Sequence, residues 1–127
     1  MISVLPCKDS AEIKKLFKKH NLEINDNSGC VIARTGKEVL GYCLYNLTEK
    51  TITVFAVEPQ SDIMLADGIL RSALHVAAEN FVLDARYDDI APEKLFELLG
   101  FITDKNDKKL NINKLFGGCG CKGCDNN

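Results

Sequence analysis

The chain has no tryptophan, two methionines, two histidines and three prolines in 127 residues. It also lacks any apolar run near the roughly 18 residues that a membrane-spanning helix needs. Nothing in Met1-Ile2-Ser3-Val4-Leu5-Pro6 joins a basic start to an apolar stretch, so no secretory signal is expected. Neither sign of charge dominates: sixteen Lys plus Arg stand against eighteen Asp plus Glu, for a net charge of -2. Without a positive field, nucleic acid and anionic membrane are not expected as partners. Cytoplasmic is the default expectation. The composition that remains, 46% hydrophobic and 27% charged, is that of a globular domain and excludes wholesale disorder. A chain of this length hides about two-thirds of its unfolded surface and folds without disulfide staples.

The six cysteines divide into two groups. Cys7, Cys30 and Cys43 stand singly among apolar residues and are expected as small core hydrophobes. Cys119, Cys121 and Cys124 crowd a Gly/Cys-rich tail over 117–127, set apart from a main domain over 1–116. Their C-x-C-x-x-C spacing, with glycines between, lets three thiolates fold around one soft ion, Zn²⁺ or Cu(I). Zinc usually takes four ligands, and the fourth would come from Cys7, Cys30, Cys43, a histidine, another chain or an exogenous group. The other reading is a set of accessible, oxidisable thiols with no fixed partner. Lys122 favours the thiolate under either reading.

Residue patterns predict ten regular elements. Ile2 to Leu5 is a short strand stopped by Pro6. Asp9 followed by Glu12 has the form of a capping box, with Ile13, Leu16 and Phe17 at helical spacing behind it. Lys18, Lys19 and His20 suit the negative end of that helix. Cys30 to Arg34 and Val39 to Tyr45 form a hairpin turning at Gly36, and Thr51 to Val57 is a strand closed by Pro59. A long helix capped by Ser61 or Asp62 runs to about Asn80, with Leu65, Ile69, Leu70, Ala73, Leu74, Ala77 and Ala78 as its stripe. Phe81 to Ala85 is a further strand. Pro92 opens and Gly100 closes a last helix whose buried face is Leu95, Phe96, Leu98 and Leu99. Phe101-Ile102 and Leu110 to Ile112 form a closing hairpin. The order β-α-β-β-β-α-β-α-β-β describes an α+β fold, with a mostly antiparallel twisted sheet and helices on both faces.

That order, together with Val57-Glu58-Pro59 ahead of Gly68-Ile69-Leu70-Arg71-Ser72-Ala73-Leu74, and with Leu95-Phe96-Glu97-Leu98-Leu99-Gly100-Phe101, resembles the GNAT N-acyltransferase superfamily. The resemblance implies an acyl-coenzyme A donor, acetyl-CoA, in a cleft between splayed fourth and fifth strands, here Thr51 to Val57 and Phe81 to Ala85. It implies donor contacts from Phe55, Ala56 and Val57 on the strand. It implies others from Leu65, Ala66, Asp67, Gly68, Ile69 and Leu70, where the following helix holds the pyrophosphate. The family's Arg/Gln position falls on Leu65 and its second Gly/Ala position on Leu70, while Thr51 to Leu70 contains no Lys or Arg. The family's acidic Tyr falls on Phe96, and Asp89 lies near its usual Asn. Its strand-borne base has no counterpart in Thr51 to Val57, which leaves Asp84 and Glu49 as candidates. His75 and His20 are read as a partly exposed helix residue and a helix-end residue. The implied reaction moves an acetyl group to a small-molecule or peptide amine. The alternative is a non-catalytic GNAT-fold ligand or sensor module with a thiol- or metal-binding tail. A dimer through the edge of the last strand is an open arrangement.

Overall fold

A computed structural model describes residues 2–115, so the tail with Cys119, Cys121 and Cys124 lies outside the described residues. Strand β1 (Ile2–Pro6) leads into α1 (Ser10–Lys19), whose first turn is capped by Asp9. The Asp9 carboxylate accepts from the amides of Ala11 and Glu12, at 3.0 and 3.4 Å. Glu12 leaves the reciprocal half of the capping box unmade, because its carboxylate pairs with Arg34 instead. Strands β2 (Ser28–Thr35) and β3 (Glu38–Leu47) form the expected hairpin, with Gly36 supplying the left-handed conformation at φ +60°.

Next come β4 (Thr51–Glu58), α2 (Ile63–Glu79), β5 (Asp84–Tyr87), α3 (Glu93–Leu99), β6 (Ile102–Asp104) and β7 (Lys109–Leu110), with a final 3₁₀ turn over Ile112–Leu115. The sheet order is β1-β2-β3-β4-β5-β7-β6, antiparallel throughout except for the parallel pair β4–β5. The last strand, β7, is therefore held between β5 and β6, which removes it as a free edge; the edges are β1 and β6.

Both sheet faces are covered, which is why β2 and β3 carry nearly continuous apolar runs instead of alternating ones. Cys30 and Ile32 face α1, where Phe17, Tyr42, Leu44 and Ala56 join them. Val31 and Ala33 face α2 and α3, in a larger core with Val54, Val57, Ile69, Leu74 and Phe96. Cys30 and Cys43 are buried as expected, and burial pushes the Cys30 thiol up to about 12. No helix among the described residues is long and apolar enough to cross a membrane.

Two expectations shift. The fifth strand begins at Asp84, three residues later than the expected Phe81, because α2 ends in a turn of its own. There the amides of Asn80 and Val82 return to the Ala77 carbonyl, and Phe81 sits at φ +62° and 93% exposed. Leu98 also leaves the expected core. It is 68% exposed, since a helix of seven residues buries only Leu95 and Phe96.

Two glycines test the packing in opposite senses. A Cβ on Gly41 would strike the Glu58 carbonyl and lie 2.7 Å from Pro59 Cδ and 2.8 Å from Ile69 Cδ1, whereas one on Gly68 meets nothing within 4 Å. In urea unfolding, Gly41→Ala is expected to lose about 1–3 kcal/mol. Gly68→Ala, at an interior helix position with room, is expected to gain up to about 1 kcal/mol.

Candidate functional site

The site begins with one surplus residue in β4. Tyr45 stands opposite Val54 and Leu44 opposite Ala56, so Phe55 has no partner on β3. A bulge of this kind bends its strand and increases the local twist. On its other side, β4 pairs with β5 only from Thr51 to Val54, and the last link is the Asp88 amide donating to the Val54 carbonyl at 2.9 Å. From Phe55 to Glu58 no strand among the described residues pairs with that edge. The expected splaying of the two strands is not what frees this edge: β5 pairs over its whole length and ends at Tyr87, opposite Val54, while β4 runs on to Glu58. Phe55 packs edge-on to Phe17 at 6.3 Å between ring centroids, so it and Ala56 both belong to the α1 side.

A cavity of about 640 Å³ adjoins the end of β4 on that side. Helix α1 forms one wall, with Glu12, Leu16 and His20 in line at helical spacing and Lys15 and Lys19 beside them. Val39, Leu40, Gly41 and Tyr42 of β3 form another wall, and Glu58 and Pro59 close it. Tyr42 and Glu58 are direct neighbours across the β3–β4 ladder. Tyr42 is buried, and its hydroxyl lies 2.7 Å from His20 Nε2. Burial, then the charge on Glu58 and the Cys30 thiol, raise the Tyr42 phenol above its ordinary value and keep it protonated. Glu12 is neutralised by Arg34. Among the described residues no ion pair engages Lys15, Lys19 or Glu58.

The structure distributes the residues expected from sequence unevenly. Phe55, Ala56 and Val57 stand on the length of β4 that runs past the end of β5. On α2, Ala66, Ile69 and Leu70 are buried in the core, Leu65 packs against its edge, and Asp67 is paired with Arg71 at 2.8 Å. Gly68 opens onto free space. Asp84 lies at the opposite, paired end of β4 and β5, satisfied by Thr51 Oγ1 at 2.9 Å and by Arg86. Glu49 is in the exposed β3–β4 turn. Neither lines the cavity. Phe96 is fully buried against Tyr87, whose hydroxyl donates to Glu93 at 2.6 Å. His75 is exposed, as expected, whereas His20 is more than a helix end. Glu58 was not among the candidate bases because Pro59 set the strand's limit at Val57; the structure extends β4 by the one residue that carries an acid.

No protein-family model matches the sequence, and no curated protein matches it. Solved structures do. A ribosomal-protein-alanine N-acetyltransferase from Brucella melitensis biovar Abortus 2308 superposes with a TM-score of 0.58 at 13% identity, over 82% of this chain and 94% of its own. A GNAT family acetyltransferase from Elizabethkingia anophelis with acetyl-CoA bound gives 0.54 at 13% identity, over 81% and 78%. YhhK from E. coli, named for N-acetyl transfer and solved with coenzyme A, gives 0.53 at 16%, over 83% and 94%. The fold is that of the GNAT N-acyltransferases. From Phe55 to Glu58 the outer backbone edge of β4 has no strand partner among the described residues. The tip of α2 carries its own side-chain cap. Asp62 caps α2, accepting from the Leu65 amide at 3.1 Å, which sets a carboxylate at the helix tip. Among the described hydrogen bonds none engages the amides of Ile63 and Met64.

The core on the other face of the sheet, to which Tyr45 belongs, carries a pH signature. Burial pushes the Tyr45 phenol, on the same strand as Tyr42, up to about 12. The folded chain then holds a proton that the unfolded chain releases near pH 10, so this stability is complete below pH 10 and is lost as pH rises toward 12. Urea midpoints at pH 8 and pH 11 should show the fall, and Tyr45→Phe should reduce it, leaving the share from the raised phenols of Tyr42 and Tyr87.

Proposed function

We propose that the chain is an N-acetyltransferase that moves an acetyl group from acetyl-CoA to an amine. The observation that carries this reading is the edge of β4 from the bulge at Phe55 to Glu58, left unpaired where β5 ends, beside a cavity closed by Glu58 and Pro59 at the end of the same strand. The pantetheine amides would bond to the 55–58 edge as a neighbouring strand would. The pyrophosphate would approach the Ile63 and Met64 amides at the positive end of α2.

The acceptor amine would enter from the α1-side cavity. Glu58 would take its proton, the nitrogen lone pair would attack the thioester carbonyl, and a C–N bond would form as the C–S bond breaks. The departing thiolate would be protonated from water, since Phe96 has no hydroxyl and that of Tyr87 is engaged by Glu93.

A second reading, a GNAT fold that binds ligand without turnover, is favoured by the lack of any Lys or Arg from Thr51 to Leu70 and by the Asp62 carboxylate at the helix tip. Thermal-shift titration with acetyl-CoA separates both readings from no binding, and mass spectrometry of acetylated amine separates them from each other. With acetyl-CoA, the melting temperature is expected to rise and product to accumulate. Glu58→Gln is expected to lower turnover by about 10²-fold or more with donor binding unchanged. Asp62→Asn keeps the capping bond but removes a charge of the wrong sign, and should tighten coenzyme A binding about two- to fivefold. Absence of any thermal response in the folded protein contradicts both readings.

A further inference from the structure

The polar groups around the α1-side cavity are sorted by charge. Lys15 and Lys19 lie on the helix wall, neither is ion-paired among the described residues, and the one neutralised carboxylate on that wall is Glu12. On the opposite wall Glu58 also lacks an ion pair, its carboxylate only accepting a long bond from Gln60 at 3.4 Å. No lysine nitrogen comes within ion-pairing distance of it. The apolar part of the lining is Leu16, Val39, Leu40 and Pro59, and the Tyr42 hydroxyl is held in place by His20. Two lysines and a carboxylate that line one cavity without pairing with each other complement a small ligand that carries both an ammonium and a carboxylate. A cavity of about 640 Å³ has the size of a small-molecule site.

We propose that this cavity binds an amino-acid-sized zwitterion, its amine toward Glu58 and Tyr42 and its carboxylate toward Lys15 and Lys19. The inference rests on the acetyltransferase reading in making that zwitterion the acetyl acceptor; the binding itself does not. Polyamines and lysine-rich peptides are excluded by the same sorting. They would bring a second positive charge to the wall that already holds two lysines, where like charges facing each other are unfavourable. A neutral amine would meet the apolar part of the lining but leave the lysines without a partner.

The test compares L-leucine with L-leucinamide, which keeps the amine and the side chain and removes only the negative charge. Binding to the full chain without donor is read by isothermal titration, and acetylation is read separately by mass spectrometry with acetyl-CoA present. Leucine is expected to bind about tenfold more tightly than leucinamide, the order of one charge-assisted contact. The double variant Lys15→Gln/Lys19→Gln, at exposed helix positions that tolerate glutamine, should bring the two ligands within about twofold by weakening leucine alone. Leucinamide or spermidine binding as tightly as leucine, or a double variant that leaves the preference intact, would overturn the proposal. Leucine binding without acetylation would retain the zwitterion site and count against the acetyltransferase reading. Acetylation of leucinamide or spermidine in preference to leucine would do the reverse.

Discussion

The unpartnered residue at Phe55 is the constraint on which the site depends. A strand in the middle of a sheet ordinarily spends both edges on its neighbours, leaving no backbone groups for a ligand. In β4 the extra residue changes which groups point sideways, and β5 runs out just there, so one edge stays bonded to β3 while the other is free. The bend also turns Phe55 and Ala56 together toward α1. That brings the strand's final acid, Glu58, to the wall of the cavity instead of leaving it beyond the sheet.

Close packing holds this arrangement. Gly41 passes so near the Glu58 carbonyl, Pro59 and Ile69 that the end of β4, the third strand and α2 form one contact with no room for a side chain. Val54 and Val57 anchor the strand in the larger core on one face, and Ala56 and Phe17 on the other. A strand end flanked by two packed cores is held in place before any ligand arrives, which reduces the ordering cost of binding. The opening lies at the carboxyl ends of the parallel pair β4 and β5, as ligand crevices in sheets with parallel strands commonly do.

Much of the fold was legible because local chemistry and global packing agree. Asp9 and Asp62 cap the helices expected of them, Gly36 turns the hairpin, and Gly100 ends α3 in the left-handed conformation. Phe81 misled because its β propensity gave no sign that the end of α2 would place it in a turn. The site was less legible. A bulge is a property of two strands in register, and Phe55 reads as one more residue in an apolar run. His20 and Tyr42 are 22 residues apart and meet only through the packing of α1 on β3. Glu58 had a signal, an acid immediately before the proline that ends a strand, but only the ladder with Tyr42 shows where it lies. The resemblance carried by Val57-Glu58-Pro59 and Leu95 to Phe101 led to the fold. It did not lead to the charges on α1, which belong to this chain.

Amide hydrogen exchange at those N–H groups of residues 55–58 that point away from β3, with and without acetyl-CoA, tests the central claim most directly. Fast exchange in the free protein that slows when acetyl-CoA is added would match an edge left open for the donor's arm. Amides already protected in the free protein, or exchange unchanged by saturating acetyl-CoA, would contradict it.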